Sequence, residues 1–416
     1  MWPSRKLFTA IYLLAAAVRL LLVFGAGHYE TGRPEAIKIA IALATKGAFA
    51  DPYVIPTGPT AHASPLYPAL IAPFYAVYGD THAADAGRIA LSCLTASVEY
   101  ALLPLVSVAL GLGVWPGIFA GVGGALLPLH LWPECMGEFE NTWAALLLEC
   151  ATLLFARFLR APSLEWRRAA RGGVFCGAAL LMAPNLLPAF LAFGAIAAWK
   201  LRPGPVAAAR LAGAWCAAAL LVLSPWMVRN YRELGGFVLV RDNFALELDV
   251  SNNDLATGNL TENTGNAHFA KYHPHQSVAA AQEIVRGGEL AFERKVMSRA
   301  LGWIGAHPGR FAQLSLERTW LFWFPRVPRF RWAYGLCSIF SLAGLALLLR
   351  QRRFTGVVLT AVVIAHAAVY CVIQNVLRYE HPIWWVEVLV MGWMAHQVWL
   401  RVRPTARPAA SDNFRG

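Results

Sequence analysis

The sequence predicts an all-α protein that crosses a membrane about ten times, and three observations carry that prediction. Of the 416 residues 57% are hydrophobic and only 14% charged, where a soluble domain averages about 25% charged. Apolar runs recur along the chain, most of them near the roughly 20 residues that cross about 30 Å of hydrocarbon. Arginine collects on every short loop of one side and carboxylates on the loops of the other, which orients the basic loops toward the cytoplasm.

The predicted spans are 7–24, 85–110, 114–132, 141–159, 172–184, 186–199, 211–228, 333–349, 355–373 and 383–400. The first is preceded by Arg5 and Lys6. It reads as a retained span and not a cleaved leader, because Phe24 occupies the minus-three position of the one plausible cleavage site, after Ala26. The fifth and sixth, on either side of Pro184 and Asn185, are short, and read either as one kinked hairpin or as partly re-entrant. Basic residues follow the fourth span (Arg157, Arg160, Arg167, Arg168, Arg171), the sixth (Lys200, Arg202, Arg210), the eighth (Arg350, Arg352, Arg353) and the last (Arg401, Arg403, Arg407). An even number of crossings places both termini in the cytoplasm, with the protein in the cytoplasmic (inner) cell membrane. The net charge of +12 is then a topology signal, and nucleic acid is not an expected partner.

Four regions follow: an N-terminal transmembrane module, 1–228, that contains a long first outer loop, 25–83; an outer domain, 229–332; C-terminal transmembrane helices, 333–400; and a disordered tail, 401–416. The first loop reads as two interfacial helices around a segment rich in proline and glycine. Residues 34–45 have Ile37, Ile41 and Ala44 on one face and Glu35, Lys38, Ala42 and Thr45 on another, with Pro34 at the first turn and Gly47 past the end. This helix is expected to lie flat on the membrane. Residues 64–78 begin with Ser64 as a cap and carry Tyr67, Phe74, Tyr75 and Tyr78, which favour headgroup depth. The outer domain starts with a short alternating run, 237–240, then a polar stretch, then two helical segments meeting at His307, Pro308 and Gly309. Phe292, Val296, Ala300 and Trp303 form a packing stripe on the first of them, so a small, mainly helical cap is expected.

Three charges fall inside spans, Arg19, Glu99 and Glu149, and charge there is expensive enough to demand a partner or a cavity. Pairing of Arg19 with Glu99 or Glu149 is the expectation. Six of the seven cysteines lie inside spans and Cys135 on an outer loop, which predicts packing and neither a disulfide nor a metal site. His268, His273 and His275 are close in sequence, but beside Pro274 in a polar stretch they read as surface residues.

Several short motifs resemble those of the GT-C class of multi-spanning glycosyltransferases, in particular the bacterial branch related to protein O-mannosyltransferases and aminoarabinose transferase. They are Tyr29-Glu30-Thr31-Gly32, Ile39-Ala40, Gly47-Ala48-Phe49-Ala50-Asp51-Pro52, Thr57-Gly58-Pro59-Thr60-Ala61 with Pro65-Leu66-Tyr67-Pro68, Pro225-Trp226 with Arg229-Asn230-Tyr231, Asn252-Asn253, His307-Pro308-Gly309-Arg310-Phe311, and Arg378-Tyr379 with His381-Pro382. The sequence departs from the family's pattern at His62 and Ser64, where an aromatic residue and a proline are expected. The resemblance implies transfer of a hexosyl or pentosyl unit from a polyprenyl-phosphate carrier to a lipid, glycan or protein acceptor outside the cytoplasmic membrane, as part of building the cell envelope.

The chemistry asks for a base and a cationic cradle, because a phosphate is already a good leaving group and needs no acid. A loop carboxylate takes the proton of the attacking hydroxyl, with inversion at the anomeric carbon, and fixed positive charge holds the phosphate. Glu30 directly follows the first span and matches the acidic position of the motif; Glu35 is its rival, since the segment between Glu30 and Ile39 carries about two more residues than relatives have. Among Glu134, Glu138 and Glu140, Glu140 is the candidate for orienting the acceptor or sharing a divalent cation, and otherwise a helix-start acid; Glu138 is weaker. Arg378, with Tyr379 and His381, and Arg229 sit at span ends where a lipid phosphate lies, Lys38 and Lys46 adding charge; interfacial anchoring explains such arginines equally well. No Asp-x-Asp motif is present, which counts against a nucleotide-sugar enzyme that chelates its donor through a metal; no metal ligand set is assigned, and a divalent cation stays open as a cofactor. A flippase or transporter of lipid-linked sugars, or a non-catalytic membrane subunit, is the alternative; repeat symmetry would favour transport, and tolerance of Glu30 loss the subunit.

Overall fold

The computed structural model describes residues 3–25, 32–127, 129–160, 165–327 and 330–402, and among them every regular element is helical. Glu30, with the rest of 26–31, lies outside the described residues, as do Arg403 and Arg407. In chain order the helices are α1 (Arg5–Gly25), α2 (Glu35–Lys46), α3 (Leu66–Tyr78), α4 (His82–Ala109), α5 (Val114–Leu126), α6 (Leu131–Cys135), α7 (Asn141–Leu159), α8 (Trp166–Met182), α9 (Leu187–Leu201) and α10 (Pro205–Leu234). Then come α11 (Phe244–Ser251), α12 (Leu260–Thr264), α13 (Ala267–Tyr272), α14 (Val278–Gly287), α15 (Glu289–Ala306), α16 (Pro308–Trp323), α17 (Arg331–Gln351), α18 (Arg353–Ala367) and α19 (Leu377–Val402).

Seven helices among the described residues are long and apolar enough to cross a membrane: α1, α4, α7, α9 with the turn before it, α10, α17, and the run Phe354–Cys371 that contains most of α18. The other three predicted spans fall on α5, α8 and α19. The 13-residue α5 and 17-residue α8 are shorter than a full crossing, and α19, at 26 residues, is diluted by Glu387, His396 and Gln397. The fifth and sixth predicted spans become α8 and α9, joined by a single 3₁₀ turn, Pro184–Leu186, a kinked pair.

The bundle is built around α4, which touches α1, α3, α5 and α7, while α19 packs on α5 and α7. Close approach needs glycine at one crossing: a Cβ on Gly124 of α5 would stand 2.2 Å from the Tyr100 ring of α4. That ring is held there because Tyr100 donates to Glu134, which pairs with Arg19 at 2.6 Å. Arg19 therefore pairs with Glu134 and not with Glu99 or Glu149; the partner comes from the short α6, which folds back into the bundle. Glu99 instead faces His381 at 3.7 Å, and Glu149 is fully buried. All seven cysteines are free, with Cys93 and Cys135 sharing one small apolar cluster.

The first loop carries α2, which begins after Pro34 and ends at Gly47, whose φ of +66° an L side chain rarely adopts. α3 differs from expectation: Pro65, not Ser64, precedes it and no side-chain cap forms. Tyr67 and Tyr75 are buried instead of lying at the surface, donating to the Gly137 carbonyl and to Asp85 at 2.9 Å. Arg33 ties the start of α2 to Asp80 and Asp85 at 2.6 and 3.1 Å. Between α2 and α3 the chain is folded by Asp51, whose carboxylate accepts from Thr57 and Gly58 amides and pairs with Lys46 at 2.7 Å. Residues 237–240 form no strand. Helices α11–α16 build the cap over this loop: Tyr53 and Ile55 enter the cap's own core with Leu246, Val250, Phe269, Phe292 and Val296.

Candidate active site

Polar side chains from the start of α19, the start of α7, α2 and α11 converge on the cap face, a cluster referred to as the chamber. Arg378 opens α19, half-buried, with its guanidinium carbon 3.8 Å from the Phe139 ring centroid and 5.2 Å from that of Tyr379. Among the described residues it makes no ion pair; its side-chain hydrogen bond goes to the Tyr379 hydroxyl at 3.5 Å. Tyr379 is fixed from behind by stacking on Tyr370 at 4.4 Å, whose hydroxyl accepts from Asn185 at 2.8 Å. Arg241 pairs with Glu140 at 3.0 Å. Glu247 of α11 accepts from Gln374 at 3.2 Å and lies within electrostatic reach of Arg378, Glu35 and Arg241. Burial pushes the Glu247 carboxyl above its ordinary value against the opposing pull of Arg378.

Beside this chamber the first loop meets the cap in a histidine cluster. Glu35 stands 3.1 Å from His275. Burial alone would raise the Glu35 carboxyl, but His275, His62 and His273 outweigh it and hold the acid well below the carboxylate range. His62 contacts the Tyr53 hydroxyl at 2.9 Å and its ring edge, and His273 accepts the His275 amide at 3.1 Å. Burial lowers both imidazoles, His62 to about 4 and His273 to about 3, so both are neutral near pH 7. His62 thus packs as an aromatic ring against Tyr53. His273 is buried and not a surface residue; His268 instead sits 2.9 Å from Asp249.

The structure brings Glu140, Arg378 and Tyr379 to one cluster, sets Glu35 in the histidine cluster beside it, and places the other candidates around them. Lys38 donates to the Tyr53 carbonyl at 3.0 Å, and burial lowers its ammonium. Glu138 accepts the Gly32 amide at 3.1 Å. Arg229 stacks on Trp226 and donates to the carbonyls of Thr60 and Phe49 at 2.6 and 2.7 Å, clamping the first loop to the end of α10. His381 is fully buried one turn into α19, against Glu99 and His130. Arg241, Glu247 and Gln374 were not read from the sequence. A signal existed for Glu247: it and Asp249 are acids two positions apart in the otherwise apolar run 244–250, which demands opposite polar faces on a short helix.

No family model and no curated protein matches the sequence. Among solved structures, the oligosaccharyltransferase of Archaeoglobus fulgidus tethered to an acceptor peptide matches 96% of this chain and 50% of its own, at TM-score 0.57 and 16% identity. The same enzyme, AglB, in complex with an inhibitory peptide and a dolichol-phosphate matches 95% of this chain and 50% of its own, at TM-score 0.56 and 15% identity. The crystal structure of ArnT from Cupriavidus metallidurans bound to undecaprenyl phosphate gives TM-score 0.38 over 94% of this chain and 78% of that one, at 14% identity. The fold expected from the sequence, that of GT-C membrane glycosyltransferases, is the fold found. The chain spans about half the length of the oligosaccharyltransferase chains it matches.

Proposed function

We propose that this protein is a membrane glycosyltransferase that moves a sugar, with inversion, from a polyprenyl-phosphate-linked donor to an acceptor on the outer face of the cytoplasmic membrane. The observation that carries this reading is Arg378: a half-buried guanidinium without an ion-pair partner among the described residues, stacked at the mouth of a polar chamber. Glu247 and Glu138 act on this charge only through space, which leaves its donor fork open, and a donor phosphate supplies a contact partner. The fold is shared with an enzyme whose structure was solved in complex with a dolichol-phosphate, which agrees with a lipid-phosphate donor.

In the proposed step an acceptor hydroxyl oxygen bonds to the anomeric carbon, the bond from that carbon to the phosphate oxygen breaks, and its electron pair leaves on the phosphate. The hydroxyl proton passes to Glu30. Glu35 is the poorer acceptor, because its contact with His275 favours the ionised form over the protonated one. Its part is to orient His275 at the chamber wall, and that of Glu140 is to orient Arg241. Arg378 takes up the charge that develops on the phosphate. A related structure contains zinc and sulfate. Among the described residues, however, no group of three or more histidine, cysteine or acidic side chains is placed to hold a metal, and no step is assigned to one.

The test is label transfer from polyprenyl-phosphate sugars to endogenous acceptors in membranes holding the parent, Glu30→Gln or Glu35→Gln at equal protein levels. The expected result is a loss of 10²-fold or more for Glu30→Gln, within the range of general-base catalysis, and a smaller one for Glu35→Gln. The reverse order moves the base to Glu35; no transfer by the parent, with acceptor-bearing membranes, points to a transporter or a non-catalytic subunit.

A further inference from the structure

An open cleft lies in the cap, on the other face of α11 from the Arg378 cluster. Its volume is about 360 Å³, at the lower end of the roughly 300–1,000 Å³ of small-molecule sites. Asp249 forms its floor, 1% exposed, and is held by Arg299 in two bonds of 2.6 and 2.7 Å and by His268 at 2.9 Å. Its walls include Tyr272, covered by the Arg299 guanidinium at 4.2 Å, and Trp303, whose indole N–H donates to Asp254 at 2.7 Å. Lys271 stands exposed at the rim, with no ion pair among the described residues. Arg299 and Lys271 balance Asp249 and Asp254, and the lining sets these polar groups around two aromatic rings, Trp303 held by its bond to Asp254 and Tyr272 covered by Arg299 and Lys271.

Such a lining does not select an ion: a phosphate would meet two carboxylates, and a basic peptide two cations. It suits a ligand that is uncharged, dense in hydroxyls and partly apolar on its ring faces. We propose that this cavity binds a neutral saccharide unit, and that the acceptor of the reaction is therefore a glycan. The inference rests on the glycosyltransferase reading above. Position supports it: on α11, Glu247 and Asp249 are two residues apart, about 200° around the helix, so one eight-residue helix presents Glu247 to the chamber and Asp249 to the cavity.

The experiment uses the full chain in lipid nanodiscs and measures saturation-transfer NMR with maltotriose, chitotriose and mannotriose, against tri-galacturonic acid and inorganic phosphate. The expected result is transfer to at least one neutral trisaccharide, weakened tenfold or more by Lys271→Ala, which alters an exposed residue, and by Trp303→Phe, which keeps the ring but removes its bond to Asp254. Binding of undecaprenyl phosphate, measured in parallel, is expected to be unchanged in both variants and lost in Arg378→Ala. Absence of neutral-sugar binding, binding of the acid or phosphate alone, or binding indifferent to both variants overturns the proposal. If sugars bind as described but the parent does not bind undecaprenyl phosphate, the cavity stands as a saccharide site and the donor reading fails.

Discussion

Arg19 and Arg378 both stand on helices of the bundle, and the difference between their surroundings separates a structural charge from the one proposed to meet the donor phosphate. Arg19 is fully buried with Glu134 2.6 Å away, takes the carbonyls of Ala15, Gly124 and Ala125 at 3.4 Å, and lies 4.2 Å over the Tyr100 ring. Its charge is neutralised and its donors are spent. Arg378 has ring faces on its flanks, a single weak hydrogen bond to a phenol, and no carboxylate in contact among the described residues. Its donor fork remains available for an oxyanion. The same contrast holds between the Arg88 cluster, saturated by Asp85, Tyr75 and the Met136 carbonyl, and the chamber.

The largest effect is expected from breaking the Arg19 pair. Arg19→Ala or Glu134→Ala leaves one charge buried alone, at a cost of about 3–5 kcal/mol, a large fraction of a typical fold's stability. Neither variant is expected to give a monodisperse, cooperatively melting protein in detergent. Arg19→Met with Glu134→Leu removes both charges and is expected to restore most of the melting temperature. Single variants that melt like the parent would show that α6 is held to the bundle by something other than this pair.

Arg378→Ala is the opposite case: the melting temperature is expected to hold, while transfer falls 10²–10³-fold, the size seen when a donor to a developing oxyanion is removed. Arg378→Lys keeps the charge but loses the planar fork and the stacking on Phe139, and is expected to fall between the two. A variant that loses melting temperature and activity together would place Arg378 with Arg19, among structural charges.

How much of this was legible in sequence follows from the same distinction. Apolar length and loop charge are summed over twenty residues, so the all-helical bundle, the ends of α2 at Pro34 and Gly47, and the junction of α15 with α16 at His307 could be read directly. Pairing is not a sum. Arg19 was assigned a partner within another span because charges at similar depth are the ones sequence exposes, whereas Glu134 reaches it only because a five-residue helix turns back into the bundle. Arg378 and Tyr379 were found through a motif, and Arg241 and Glu247 were not, because they belong to a cap whose short helices α11–α14 lack the length for a clear period. His381 illustrates the converse: it shares the motif with Arg378, but three residues along a helix carry it inward to Glu99.

The smallest effect, and the one that tests the junction between the first loop and the cap, is pH dependence. His62 is held neutral, with its proton affinity lowered from about 6.5 to about 4 by burial. Unfolding therefore takes up a proton between those values, and the stability that His62 contributes is complete above pH 6.5 and lost as pH falls toward 4, by roughly 3 kcal/mol at the acid end. His273, lowered to about 3, and Glu35, held below the carboxylate range, act in the same direction. Asp242 acts against them. Burial raises it to about 6 next to Glu289, which binds Thr60 and Ala61 at 2.5 and 2.6 Å, so its contribution grows as pH falls from 6 toward the usual 3.8. Glu289 and Glu293, also raised by burial, act with Asp242 and reduce any drop in the parent's melting temperature between pH 6.5 and 4.5. His62→Gln, which keeps a partner for the Tyr53 hydroxyl, should flatten that drop, and Asp242→Asn should steepen it by removing the opposing group. A profile unchanged by His62→Gln would mean that water reaches this histidine, and that the loop and cap are not packed around it as described.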